Sequence, residues 1–148
     1  MGMNESSRAL TASSWTSAWE LQHETRYKFG LLSLDALFPD GVLPSSLILL
    51  QGDVNRQLLR HLVTKLTIGL LLANEQSDLA FIDGANIFPY YELASETRKR
   101  GYDPLLILDR IQLARAFNFH QMTEIATKRL SNLLKVKKQL NIVLVPQI

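Results

Sequence analysis

Apolar and polar positions fall in alternating blocks, four short apolar runs separated by stretches of helical spacing. The runs at 47–51 (LILLQ), 79–83 (LAFID), 111–116 (IQLARA) and 142–145 (IVLV) are brief and bounded by polar or turn residues, which predicts buried strands. Leu58, Leu59, Leu62, Leu66 and Leu70 recur at helical spacing and predict a helix over 56–73. A second helix is predicted over 89–100, closed by Gly101, with Arg98, Lys99 and Arg100 in its last turn where cations suit the helix dipole. Asp103-Pro104 opens a short helix to 108. Met122, Ile125, Ala126, Leu130, Leu133 and Leu134 mark a third long helix over 121–140. Ahead of these, Leu31, Leu34, Leu37 and Phe38 form a lead-in helix or turn, stopped by Pro39-Asp40-Gly41.

Strands alternating with helices predict an α/β fold, a parallel sheet with helices on both faces joined by right-handed crossovers. Such sheets bind ligands at the carboxyl ends of their strands. No internal repeat is present. Residues 25–148 read as one domain. Residues 1–24 read as a tail or short helix, in which Trp15 and Trp19, four apart, either fold back on the domain or anchor a partner.

With 148 residues and 47% hydrophobic content, the chain can build a core. It has no cysteine, which excludes a disulfide framework or thiolate metal site, and its three histidines, His23, His61 and His120, have no ligand spacing. No signal-peptide run and no membrane-length apolar segment occurs, so a cytoplasmic protein with no membrane partner is expected. The net charge of +2 conceals an asymmetry: residues 1–95 carry 6 basic and 10 acidic side chains, residues 96–148 carry 10 and 4. The second half therefore has a net +6 that can attract a polyanion through Arg98, Lys99, Arg100, Lys128, Arg129, Lys135, Lys137 and Lys138. A solvated helix surface gives the same pattern.

The stretch LILLQGDVNRQLLRHLVTKLTIGLL has the outline of a phosphate-binding strand, loop and helix. Its candidate nucleotide contacts are Gly52, Asp53, Asn55 and Arg56. Glycines in such a loop let backbone N–H groups wrap phosphates, a lysine reaches the outer phosphates and a hydroxyl holds Mg²⁺. Only Gly52 remains of that set. Gln57, Leu58 and Leu59 occupy the later positions, and His61, Thr64 and Lys65 fall within the helix.

In order, these segments resemble the ATPase core of the RecA superfamily, and within it the archaeal and eukaryotic RadA-type recombinases. LLSLDALFPDGVLPSSLILLQGD resembles the family's lead-in to its phosphate loop. LAFIDGANIFPYYELASETRKRGYDP resembles the second strand and helix, usually YIDTEGTF, a proline, and a helix ending near Gly-x-Asp-Pro. LDRIQLARAF resembles the next strand, and NIVLVPQI stands at the spacing of the Walker B strand. The likeness runs from Tyr27 to the C-terminus and implies a RecA-like P-loop core truncated after the Walker B strand, either a short paralogue or part of a longer gene. Leu58 and Leu59 replace the Walker A lysine and hydroxyl, Ala85 the catalytic glutamate, and Pro146 the Walker B carboxylate. Three devices of phosphoryl transfer are missing together.

The expectation is a catalytically inactive RecA/RadA-like paralogue without cofactor, an accessory or assembly module of DNA repair and recombination. Its expected partners are a RadA-type recombinase or another paralogue, oligomers of its own kind, and DNA, held weakly and without sequence preference. One alternative is a nucleotide-binding but non-hydrolysing sensor, which would hold ATP and Mg²⁺ with Gly52, the helix start and Arg56 or Arg60. Another is a NYN/PIN-like nuclease, since FIDGANIF resembles that family's first strand motif and would make Asp83, with Asn86, the start of a metal site. No further carboxylate follows the later strands, so a strand-end cap is the favoured role for Asp83. Arg115 is expected either to reach the strand-end crevice or to pair with Asp109 or Glu124.

Overall fold

The computed structural model describes residues 25–146; the tail with Trp15 and Trp19 lies outside the described residues. Strand β1 (Asp78–Asp83) is the centre of a three-stranded parallel sheet, flanked by β2 (Ile111–Arg115) and β3 (Leu140–Leu144). The β1–β2 register runs from Leu79↔Ile111 to Asp83↔Arg115, and β1 meets β3 at Leu79↔Ile142 and Phe81↔Leu144. An α/β domain with a parallel sheet is therefore present, as the alternating pattern requires.

Strand side chains alternate between faces, and each face of β1 has its own cover. Leu79 and Phe81 pack in the larger core with Val63, Leu66, Leu70 and Leu71 of helix α2 (Arg56–Ala73) and Ile107 of helix α4 (Pro104–Asp109). Ile82 packs on the opposite face with Ala116 and Ile125, which lies in the long helix after β2. Helix α3 (Tyr90–Lys99) stands on the α2 side, tied to α2 by Arg60–Glu92 and Lys65–Glu96 ion pairs.

Helix boundaries follow local chemistry. The Asn55 side chain accepts the Leu58 N–H, and the Asp103 side chain accepts that of Leu105 with Pro104 in the first turn. Gly101 follows α3 at φ +83°. The lead-in contains helix α1 (Leu32–Leu37), in a segment closed by an antiparallel bridge between Tyr27 and Val42.

Two features differ from the sequence reading. Residues 47–51 are not a strand: Leu47 is 97% exposed and Leu49 81%, while Ile48 packs against the core. A strand is a pairing rather than a composition. The sheet is β2-β1-β3, and this apolar run pairs with none of its three strands.

The third helix also differs. It begins with α5 (Phe119–Glu124), widens to a π turn at Ile125–Arg129, and ends as α6 (Leu130–Val136). It stops four residues before 140 because Lys137 turns extended, which lets the Gln139 carbonyl accept the Asp78 N–H and begin β3 at Leu140.

Candidate functional site

At the carboxyl end of β1 three segments meet: the turn before α2, the loop after Asp83 and the loop after β2. The first contains the phosphate-loop candidates. Gly52, Asp53, Asn55 and Arg56 are all exposed, and no atom stands within 4 Å of where a Cβ would sit on Gly52. The Asn55 Oδ1 takes the Leu58 N–H at 2.8 Å, so a side chain of the turn itself satisfies a donor that a phosphate would use. Leu58 is 51% exposed. Arg56 donates from Nη2 to the Ala85 carbonyl at 2.6 Å, fastening the helix start to the loop where the resemblance places a catalytic glutamate.

Three further polar side chains of α2, Arg60, Thr64 and Lys65, are engaged within the fold. Arg60 grips Glu92 through Nε–Oε1 at 2.7 Å and Nη2–Oε2 at 2.9 Å. This hydrogen-bonded pairing holds Glu92 below the usual carboxylate range and raises Arg60. Lys65 bonds Glu96, which is likewise lowered, chiefly by that hydrogen bond. The Thr64 hydroxyl donates to the Arg60 carbonyl inside the helix. Of the arginines considered for a nucleotide sensor, Arg60 is thus bound to α3, and Arg56 to the loop after β1.

Asp83 is 1% exposed, and its carboxylate organises that loop. The Ile87 N–H donates to Oδ1 at 3.0 Å and to Oδ2 at 3.1 Å, and the Phe88 N–H donates to Oδ2 at 3.0 Å. Asn86, at φ +52°, makes the left-handed turn that points these groups back. Arg115 lies across the register, Nε 3.9 Å from Asp83 Oδ2. Its ion-pair partner is thus Asp83, not Asp109 or Glu124, because parallel pairing brings the two strand ends together. Among the described residues no group of three His, Asp or Glu side chains could hold a metal.

The basic clusters do not share a face. Arg98, Lys99 and Arg100 end α3 on the α2 side of the sheet, and Lys99 and Arg100 both approach Glu96, at 4.0 and 3.5 Å. Lys128 and Arg129 lie in the π turn on the Ile82 side, followed by Lys135 in α6 and by Lys137 and Lys138. Arg129 pairs with Glu124 at 3.2 Å.

The loop after β2 lacks the carboxylate a metal site would need, and its two aromatics are not singled out by the hydrophobic pattern. Phe117 is 74% exposed and Phe119 79%, on a backbone clasped from both sides. The Phe117 N–H donates to Gln121 Oε1 at 2.7 Å, and the Gln121 N–H to Asn118 Oδ1 at 2.9 Å. The signal in the sequence is two aromatics flanking a capping asparagine, Phe-Asn-Phe, at a strand end.

Among the described residues no helix is long and apolar enough to cross a membrane. No family model and no curated protein matches this chain.

Proposed function

We propose that the protein is a catalytically inactive RecA/RadA-like module serving DNA repair or recombination as an accessory or assembly subunit. The observation that carries the inactive half is the Arg56–Ala85 tie: a cation next to the phosphate-loop turn is spent on a backbone carbonyl. The later loop positions hold Leu58 and Leu59, and Asn55 caps the helix start. Losing one preorganised electrostatic device costs roughly 10²-fold or more in rate. Loss of the charge clamp, the water-orienting carboxylate and the metal support leaves no route to ATP hydrolysis. The segment order, and a parallel α/β sheet of the kind that order requires, support the RecA-like reading. A fold of this class can persist as a docking surface after its site is lost.

The nuclease alternative gains no support, because both Asp83 oxygens are committed to backbone N–H groups. Calorimetry with ATP and Mg²⁺ is expected to show no saturable binding at sub-millimolar nucleotide. A micromolar Kd overturns the inactive reading and favours the sensor. Immobilised protein is expected to retain a RadA-type recombinase, and no retention above a blank surface overturns the accessory role.

A further inference from the structure

We propose that Phe117 and Phe119, with Arg115 and Arg129, form a stacking platform for single-stranded nucleic acid. This deepens the nucleic-acid side of the function proposed above by giving it a locus. Two phenylalanines this exposed forgo much of the stabilisation that burial of each ring would bring. They are not held out by a loose loop. Ala116 N–H donates to the Asp83 carbonyl at 3.1 Å, Gln121 and Asn118 clasp the turn, and the Phe119 ring meets the His120 ring edge-on at 6.3 Å. Preorganised aromatics lose little entropy on binding.

Charge selects the occupant. A shallow cleft of about 130 Å³ opens beside Phe117, bordered by Arg115, Gln121, Glu124 and Arg129. The Arg115 side chain is 48% exposed, and its nearest carboxylate, Asp83, already accepts backbone donors from Ile87 and Phe88. Arg115 thus keeps N–H groups for a phosphate. Arg129 is 69% exposed, and its surface pair with Glu124 is of the weak, solvent-screened kind that a phosphate can displace. Aromatic faces stack on any base while arginines follow the backbone, the recognition mode of unpaired strands. Bases within a duplex do not present those faces.

The test is fluorescence anisotropy with labelled dT20, rU20 and a duplex of equal length, on the full chain and on Phe117→Leu, Phe119→Leu and the double variant. Leucine keeps apolar bulk and removes the π face, and both positions are exposed, so circular dichroism is expected to be unchanged. Single strands are expected to bind more tightly than duplex, and each substitution to weaken them roughly tenfold. The relative affinity of dT20 and rU20 assigns DNA or RNA. Equal binding by wild type and double variant overturns the platform. If charge reversal of Lys135, Lys137 and Lys138 nevertheless abolishes that binding, the basic-half reading survives by itself. No saturable binding by the wild type to any probe overturns both.

Discussion

The Nη2 of Arg56 lies 2.6 Å from the carbonyl oxygen of Ala85, 29 residues away in sequence. This contact joins the first turn of α2 to the loop leaving β1, the two segments between which a nucleotide would be held in a working phosphate site. Next to it, Asp83 draws the same loop inward through Ile87 and Phe88. The strand end is thus organised for rigidity.

Arg56→Ala is expected to lower stability by about 1 kcal/mol, below the roughly 1.5–3 kcal/mol typical of hydrogen bonds to charged groups, because the arginine is exposed. Arg56→Lys should recover part of it. Urea denaturation reads both, and a silent Arg56→Ala would mean that the tie contributes nothing.

Asp83→Ala should be far more damaging. It removes the acceptor of the Ile87 and Phe88 N–H groups in a buried position and strips Arg115 of its counter-charge. Each unsatisfied buried donor costs about 1–3 kcal/mol, so a loss of roughly 3 kcal/mol or more is expected by denaturant titration. Wild-type protein incubated with labelled RNA and Mn²⁺ should leave the RNA intact. Cleavage abolished by Asp83→Asn would restore the nuclease reading.

Gly69→Ala gives a test in which two effects oppose. Alanine in a helix interior is favoured over glycine by about 1 kcal/mol. In α2, however, a Cβ at Gly69 would lie 2.5 Å from the Phe29 carbonyl oxygen and 3.0 Å from that of Gly30. Both obstacles are backbone, and Gly30 is held at φ +69°, so no rotamer change relieves the clash. Overpacking costs about 1–3 kcal/mol or more, and the expected net effect is a lowered urea midpoint. A raised midpoint would show that the lead-in moves away from α2 at little cost.

Much of this was legible in the chain. The 56–73 helix, the strand end at Asp83, the short helix opened by Asp103-Pro104 and the stop at Gly101 are written in local spacing and turn chemistry. The Gly69 crossing is not, because it depends on a segment about 40 residues earlier folding against one turn of α2. Nor is the fate of Leu47 to Leu50, since apolar composition does not reveal whether a run will pair with a strand. Phe117 and Phe119 resemble core residues until the strand is seen to end at Arg115.

Acid should loosen α3 from α2. Glu92 and Glu96 are both held below their ordinary value of 4.5, so the folded state binds protons less readily than the unfolded chain. Their contribution is complete above that value and is lost as pH falls through the lower folded-state values. Glu92 is nearly half exposed, so solvent screening limits its pair to a few tenths of a kcal/mol up to about 1 kcal/mol. The Glu92→Gln, Glu96→Gln double variant should show a flatter stability decline than wild type below pH 5. Parallel declines would place the acid sensitivity elsewhere.

The separation of the basic clusters gives the last prediction. Arg98 and Lys99 lie on the α2 side of the sheet, whereas Lys135 lies in the last turn of the helix that covers Ile82, and Lys137 and Lys138 follow it. A single duplex laid along one face would meet one cluster. Each phosphate neutralised adds about 0.9 to the downward slope of log K against log salt for duplex DNA. Reversing the cluster that binds should therefore reduce that slope by one unit or more, and reversing the other should leave it nearly unchanged. Lys99 also lies 4.0 Å from Glu96, so stability must be measured beside affinity for that variant. Anisotropy at two or more salt concentrations on Arg98→Glu/Lys99→Glu and on Lys135→Glu/Lys137→Glu/Lys138→Glu separates the two. Equal slope reductions in both variants would overturn the one-face reading and mean that the nucleic acid wraps the sheet edge or that long-range charge, rather than contact, governs binding.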